Sequence, residues 1–152
     1  MSAARLRRKA VPAAAAELAA PACAGGVCNP RRVQGLRAPA PRGEHVLIDI
    51  AGPGVFLSGE VVKQGGGAGL SFVSLDIDGR NVVNISYDAA RNSGLTEHNP
   101  YGVHYLTSAA GLENLAFGWP TPLVFLRSLK VSAVVRQDGV VQILANVLVG
   151  TP

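Results

Sequence analysis

From Gly43 onward the chain alternates apolar and polar residues with a period of two. "HVLIDI" places Val46, Ile48 and Ile50 on one face, and "VFLSGEVVK" does the same with Val55, Leu57 and Val61. "LSFVSLDID" and "NVVNISY" follow, joined by Asp78-Gly79-Arg80, a hairpin signal. In the first of these the apolar phase slips between Phe72 and Val73, which predicts a bulge. In the second, Val83, Ile85 and Tyr87 share a side. "LVFLRSLKVSAVV" reads as one long strand with Leu123, Phe125, Leu129, Val131, Ala133 and Val135 in phase. Gln137-Asp138-Gly139 then turns the chain into "VVQILANVLVG". The intervening stretch 88–122 is the least regular and predicts one or two short strands, "VHYL" and "LENLAFGW", joined by loops.

No long 3.6-residue pattern and no βαβ alternation occurs after Gly43. Roughly seven or eight strands in succession predict an all-β fold, an antiparallel β-sandwich or jelly roll. Before Gly43 the texture differs: five of the ten prolines lie there and no aromatic residue does. "AVPAAAAELAA" is compatible with one short helix, and the rest reads as extended chain that cannot bury enough surface to fold alone. The expected organisation is an N-terminal arm, 1–45, followed by a sandwich domain, 46–152.

Charge sharpens this division. Residues 1–45 carry eight basic side chains against Glu17 and Glu44, a net +6, and residues 46–152 carry six basic against eight acidic, a net −2. A basic arm on a mildly acidic domain favours an acidic partner surface, nucleic acid or a neighbouring copy of the same chain. Arg5, Arg7, Arg8, Lys9, Arg31 and Arg32 are its candidate contact residues. Without interleaved aromatics they support only non-specific contact with nucleic acid. No apolar run is long enough for a membrane span. The N-terminus imitates a lipoprotein signal, but Pro12 and Glu17 interrupt it.

Candidate chemistry is sparse. Cys23 and Cys28 are the only cysteines, and C-x4-C gives neither redox spacing nor a full zinc set. Two reduced thiols, a disulfide between them and a disulfide to another subunit all stay open. Glu97, His98 and His104 are the candidate metal ligands, brought together only if Asn99-Pro100-Tyr101-Gly102 forms a turn. Tyr101, Tyr105 and Trp119 are the candidate aromatics for a sugar-binding platform. Asp76 and Asp78 read as a solvated strand end rather than a catalytic pair. "GGGAG" lacks the residues of a phosphate loop, and no nucleophile elbow is present. No cofactor and no enzymatic activity are expected.

The layout, an arm over 1–45 and a sandwich over 46–152, resembles small virion proteins of tailed bacteriophages, such as capsid decoration proteins. The resemblance is one of class and layout, and no motif carries a site across. It implies a homo-oligomeric structural subunit of the virion whose arm and 88–122 region bind neighbouring protein subunits. Long strands with both faces partly apolar, as at Val124, Leu126 and Val134, point the same way. The alternatives are a carbohydrate- or cell-surface-binding jelly roll and a small metal-dependent enzyme, with a cytoplasmic or secreted location.

Overall fold

A computed structural model describes residues 23–67, 69–109 and 111–152. The fold is an all-β sandwich. Among the described residues ten strands run β1 (Cys23–Ala24), β2 (Val27–Arg37), β3 (Gly43–Ala51), β4 (Gly54–Gly65), β5 (Phe72–Ile77), β6 (Arg80–Ser86), β7 (Val103–Ala109), β8 (Leu112–Phe125), β9 (Ser128–Val135) and β10 (Val140–Thr151). One sheet has the order β1-β2-β10-β4-β8-β7 and the other β3-β9-β5-β6, with every pair antiparallel. Their inner faces interlock through Phe56, Val61, Leu115, Phe117, Ile143 and Val147 from the larger sheet and Val73, Leu75, Leu129 and Val131 from the smaller. Among the described residues no helix is long and apolar enough to cross a membrane.

The two sheets are tied together at both sides. The six-residue α1 (Tyr87–Asn92) follows β6, capped by Ser86, whose hydroxyl accepts from the Ala89 amide. It buries Tyr87 and Ala90 and carries the chain across to β7. On the other side β3 crosses close over β2. Gly35 makes that crossing workable, because a Cβ there would lie 1.9 Å from the carbonyl oxygen of Leu47. Leu47 is the extra residue of a bulge in β3, which turns Val46 outward while Ile48 and Ile50 stay buried.

Several expectations are corrected here. The arm assigned to 1–45 is extended from Cys23 onward, but it is not free: β2 is a full strand of the larger sheet, paired with β10 from Arg31↔Val149 to Arg37↔Ile143. Strand pairing in the second sheet likewise starts at Gly43, not residue 46. The expected helix at 10–20 lies outside the described residues. No bulge separates Phe72 from Val73 on the β9 side. Phe72 instead faces outward beneath the Arg136 guanidinium, 5.2 Å from its ring centroid, and the irregularity falls between Leu75 and Asp76 on the β6 side. The long strand expected over 123–135 is two strands, broken at Leu126 and Arg127. Its halves lie in opposite sheets, and the Gln137–Gly139 turn likewise joins strands of different sheets.

The break at 126–127 has a specific cause. Asp78 sits at the β5–β6 hairpin with φ 54°, a conformation that Asp tolerates. Its carboxylate accepts from the backbone amides of Leu126, Arg127 and Ser128. Those bonds, to Leu126 and Ser128 first and then Arg127, hold the carboxyl below the usual range. Because the folded value is depressed, the stabilisation is fully present above the ordinary carboxylate pKa of about 4 and is lost as pH falls through the folded value. Asp78→Asn should therefore lower the urea midpoint at pH 7, and the gap from wild type should shrink on acidification. A gap independent of pH would contradict this role.

Candidate functional site

The two cysteines are joined to each other. Gly25 and Gly26, with φ 58° and 79°, supply the positive dihedrals of a two-residue type I′ turn, so Cys23 and Cys28 fall directly opposite and form a disulfide. Of the basic arm residues, Arg5, Arg7, Arg8 and Lys9 lie outside the described residues. Arg31 and Arg32 are exposed on β2.

The turn at Asn99–Gly102 forms, held by Asn99, whose side-chain amide donates to the carbonyls of Glu97 and Val103. It stacks His98 and His104 with ring centroids 6.0 Å apart. Among the described residues, no group of three His, Cys, Asp or Glu side chains is placed to hold a metal ion, so Glu97 does not complete a trio with them. The three aromatics differ in exposure. Tyr105 is buried, Trp119 packs edge-on against Phe56 at 6.3 Å, and only Tyr101 stands out in solvent at 70% exposure. Packing has taken Tyr105 away from any sugar platform, while Trp119 stays half-buried beside Gly102.

The outer face of the larger sheet carries an arrangement that strand-by-strand reading missed. Register places Leu36, Leu144, Val62, Asn114 and Leu106 in one row across β2, β10, β4, β8 and β7. The next row holds Gln34, Asn146, Glu60, Ala116 and His104. A hydrogen-bonded chain runs through both. Arg32 donates twice to Asn146 Oδ1 (3.1 and 2.8 Å), Asn146 Nδ2 donates to Glu60 Oε1 (3.0 Å), and Asn114 Nδ2 donates to Glu60 Oε2 (3.0 Å). Small residues beside it, Ser58, Gly59 and Ala116, leave a shallow depression of about 400 Å³. Chemically this is a fixed strip of donors and acceptors bordered by leucines.

Inside the sandwich a second polar group went unread. Lys63 alternates onto the same face as Val61 and is fully buried. Its Nζ lies 2.6 Å from Glu113 Oε2 on the neighbouring strand, where Lys63 and Glu113 are register partners. It also donates to the carbonyl of Gly65 at 3.1 Å and lies 5.7 Å from the centroid of the Tyr87 ring. Tyr105 donates to Glu113 Oε1, and Arg91, paired with Asp88, reaches to 3.9 Å of the same oxygen. The Tyr87 hydroxyl donates to the carbonyl of Val61, and its pKa is raised, first by burial and then by the charge of Glu113. With Lys63 sealed from solvent, no substrate reaches its amine in this structure. The cluster acts as a pin between β4 and β8.

No protein-family model matches the chain, and no curated protein matches it either.

The pin makes a measurable demand. Lys63→Met leaves a buried carboxylate with, among the described residues, the more distant Arg91 as its cation, and should cost about 3–5 kcal/mol in chemical denaturation. The pair Lys63→Met with Glu113→Leu should recover most of that loss, because an apolar pair carries no desolvation penalty. A double variant as unstable as the single one would contradict the assignment.

Proposed function

We propose that this chain is a structural assembly subunit whose sandwich body binds neighbouring protein subunits, copies of itself among them, in the manner of a virion decoration or cement protein. The observation that carries the reading is the leucine row on the outer face of the larger sheet. Leu36 is 59% exposed at one end and Leu106 is 49% exposed at the other, with Leu144 and Val62 half-buried between them. The apolar members of this row, on β2, β10, β4 and β7, with Asn114 of β8 between Val62 and Leu106, lose water favourably only against another apolar surface. The Arg32–Asn146–Glu60–Asn114 strip beside it gives such a contact register, since a mispositioned partner would leave those groups unpaired. The exposed Val124 and Leu126 add apolar surface at the end of β8. In this reading the basic residues Arg5 to Lys9 make the arm's contacts, and the protein's place is the virion.

The structure changes how the arm must be tested. A cut at Gly43 would remove β2 and leave β10 unpaired on one side. The informative truncation starts at Cys23. In sedimentation velocity the full chain should form dimers or larger species, and both the chain from Cys23 and the Leu36→Lys/Leu106→Lys variant should shift toward monomer by tenfold or more in dissociation constant. Thermal stability should stay close to wild type, since exposed substitutions usually change it by no more than about 0.5 kcal/mol. A full chain that stays monomeric at high concentration would overturn the reading.

A further inference from the structure

Where the β5–β6 hairpin meets the crossing from β8 to β9, a groove of about 440 Å³ opens, lined by Ile77, Asp78, Arg80, Val124, Leu126 and Arg127. Its apolar part is open to solvent: Val124 is 55% exposed and Leu126 69%. Its charged groups differ in what they have left to bind. The Asp78 carboxylate is taken up by the amides of Leu126, Arg127 and Ser128. The Arg127 guanidinium donates to the Asp78 carbonyl at 2.9 Å, which leaves most of its donors unused among the described residues. The Arg80 side chain is exposed and makes no hydrogen bond or ion pair with any described residue. The groove thus offers two cations beside exposed apolar surface, and its complement is a pair of carboxylates flanking an apolar side chain.

This chain carries that complement on β3. Glu44, Val46 and Asp49 share the outer face of the smaller sheet, opposite Val134, Ser132 and Lys130 of β9. The extra residue Leu47 brings Asp49 into the same face as the other two. Val46 is 53% exposed, and both carboxylates are exposed. Neither carboxylate makes a hydrogen bond or ion pair with a described residue, and Lys130 stands opposite Asp49 without closing on it. β3 is also the edge strand of its sheet, so the stripe can be approached from the side.

We propose that the groove of one copy takes the Glu44–Val46–Asp49 stripe of a second copy of this chain. The pairing sets two carboxylates against Arg80 and Arg127, and Val46 against Val124 and Leu126. Stripe and groove adjoin within one molecule: β3 ends with Ala51 opposite Ser128, and the Gly52 amide donates to the Arg127 carbonyl at 2.7 Å. Adjoining complementary patches suit a two-fold axis, because one rotation places each patch on the other's complement and the contact closes on itself. Groove against groove or stripe against stripe would oppose like charges, so charge also selects the alignment. The proposal rests on the assembly reading and adds, to the leucine row of the larger sheet, a contact made beside the smaller one.

Charge exchange tests this in sedimentation velocity, on the full chain carrying Leu36→Lys/Leu106→Lys so that the leucine row is silent. That background should still dimerise at high concentration. Adding Arg80→Glu/Arg127→Glu, or instead Glu44→Lys/Asp49→Lys, should weaken the dimer by tenfold or more, because each change sets like charges together in both halves of the two-fold contact. An equimolar mixture of the two reversed chains should dimerise as the background does, since every carboxylate then meets a cation again. Arg127 touches the Asp78 clasp, so if thermal unfolding shows the double reversals to be unsettled, Arg80→Glu and Glu44→Lys alone repeat the exchange. A background that is monomeric at every concentration, reversed chains that dimerise as before, or a mixture that stays dissociated would overturn the proposal. None of these results touches the assembly reading, which fails only if the unmodified chain is itself monomeric.

Discussion

Everything in the larger sheet hangs on β10. It is the last strand in sequence and an interior strand in space, bonded to β2 on one side and β4 on the other. Ile143, Ala145, Val147 and Val149 face inward with almost no exposure, each larger side chain worth about 1.5–3 kcal/mol when taken out of water. β2, at the other end of the described chain, has no long partner except β10. The sheet therefore closes only when residues more than a hundred positions apart meet, as Arg32 and Leu148 do. Such long-range pairing is expected to fold slowly and to make the N-terminal hairpin a late addition.

Polar groups fix what hydrophobic packing leaves free. Alternation decides which face of a strand is buried, but a slip of two residues preserves that face. Three devices resist such slips at three depths. Asp78 binds the crossing between β8 and β9 at the edge, Lys63 and Glu113 lock β4 to β8 inside, and Arg32, Asn146, Glu60 and Asn114 tie four strands on the outer face. Each joins residues from strands distant in sequence. Moving any of these strands would leave buried or half-buried polar groups without partners, which costs more than the bonds themselves contribute.

Most strands after Gly43 were legible because alternation marks them locally, and the all-β sandwich followed from them. What was not legible depended on partners. Nothing local shows that "LVFLRSLKVSAVV" breaks at Leu126, because the break is made by Asp78, some fifty residues earlier. Lys63 closes "VFLSGEVVK" as a charged residue, yet its phase with Val61 is a usable signal that it points inward. Only the β4–β8 register reveals Glu113 as its partner. The same limit hid the outer-face row, whose residues are unremarkable within each strand. Tyr105 sits in the polar, irregular part of the sequence, and that setting disguised it, whereas Trp119 before Pro120 reads as packing against the core, which is where it lies. The arm was misjudged for a compositional reason: Pro30, Gly35 and three arginines make β2 look unfit for a sheet. Each has a place there, with Pro30 in a bulge, Gly35 under the Leu47 carbonyl and Arg32 bonded across the face.

The central claim is that β2 is part of the sandwich and not part of the arm. Native-state hydrogen exchange on the full chain measures this most directly. Amides of β2 that point toward β10, within residues 31–37, should exchange as slowly as those in the middle of β10 itself, within a factor of about ten (1.4 kcal/mol). Exchange of those amides at the unprotected rate, with β10 still protected on its β4 side, would contradict it.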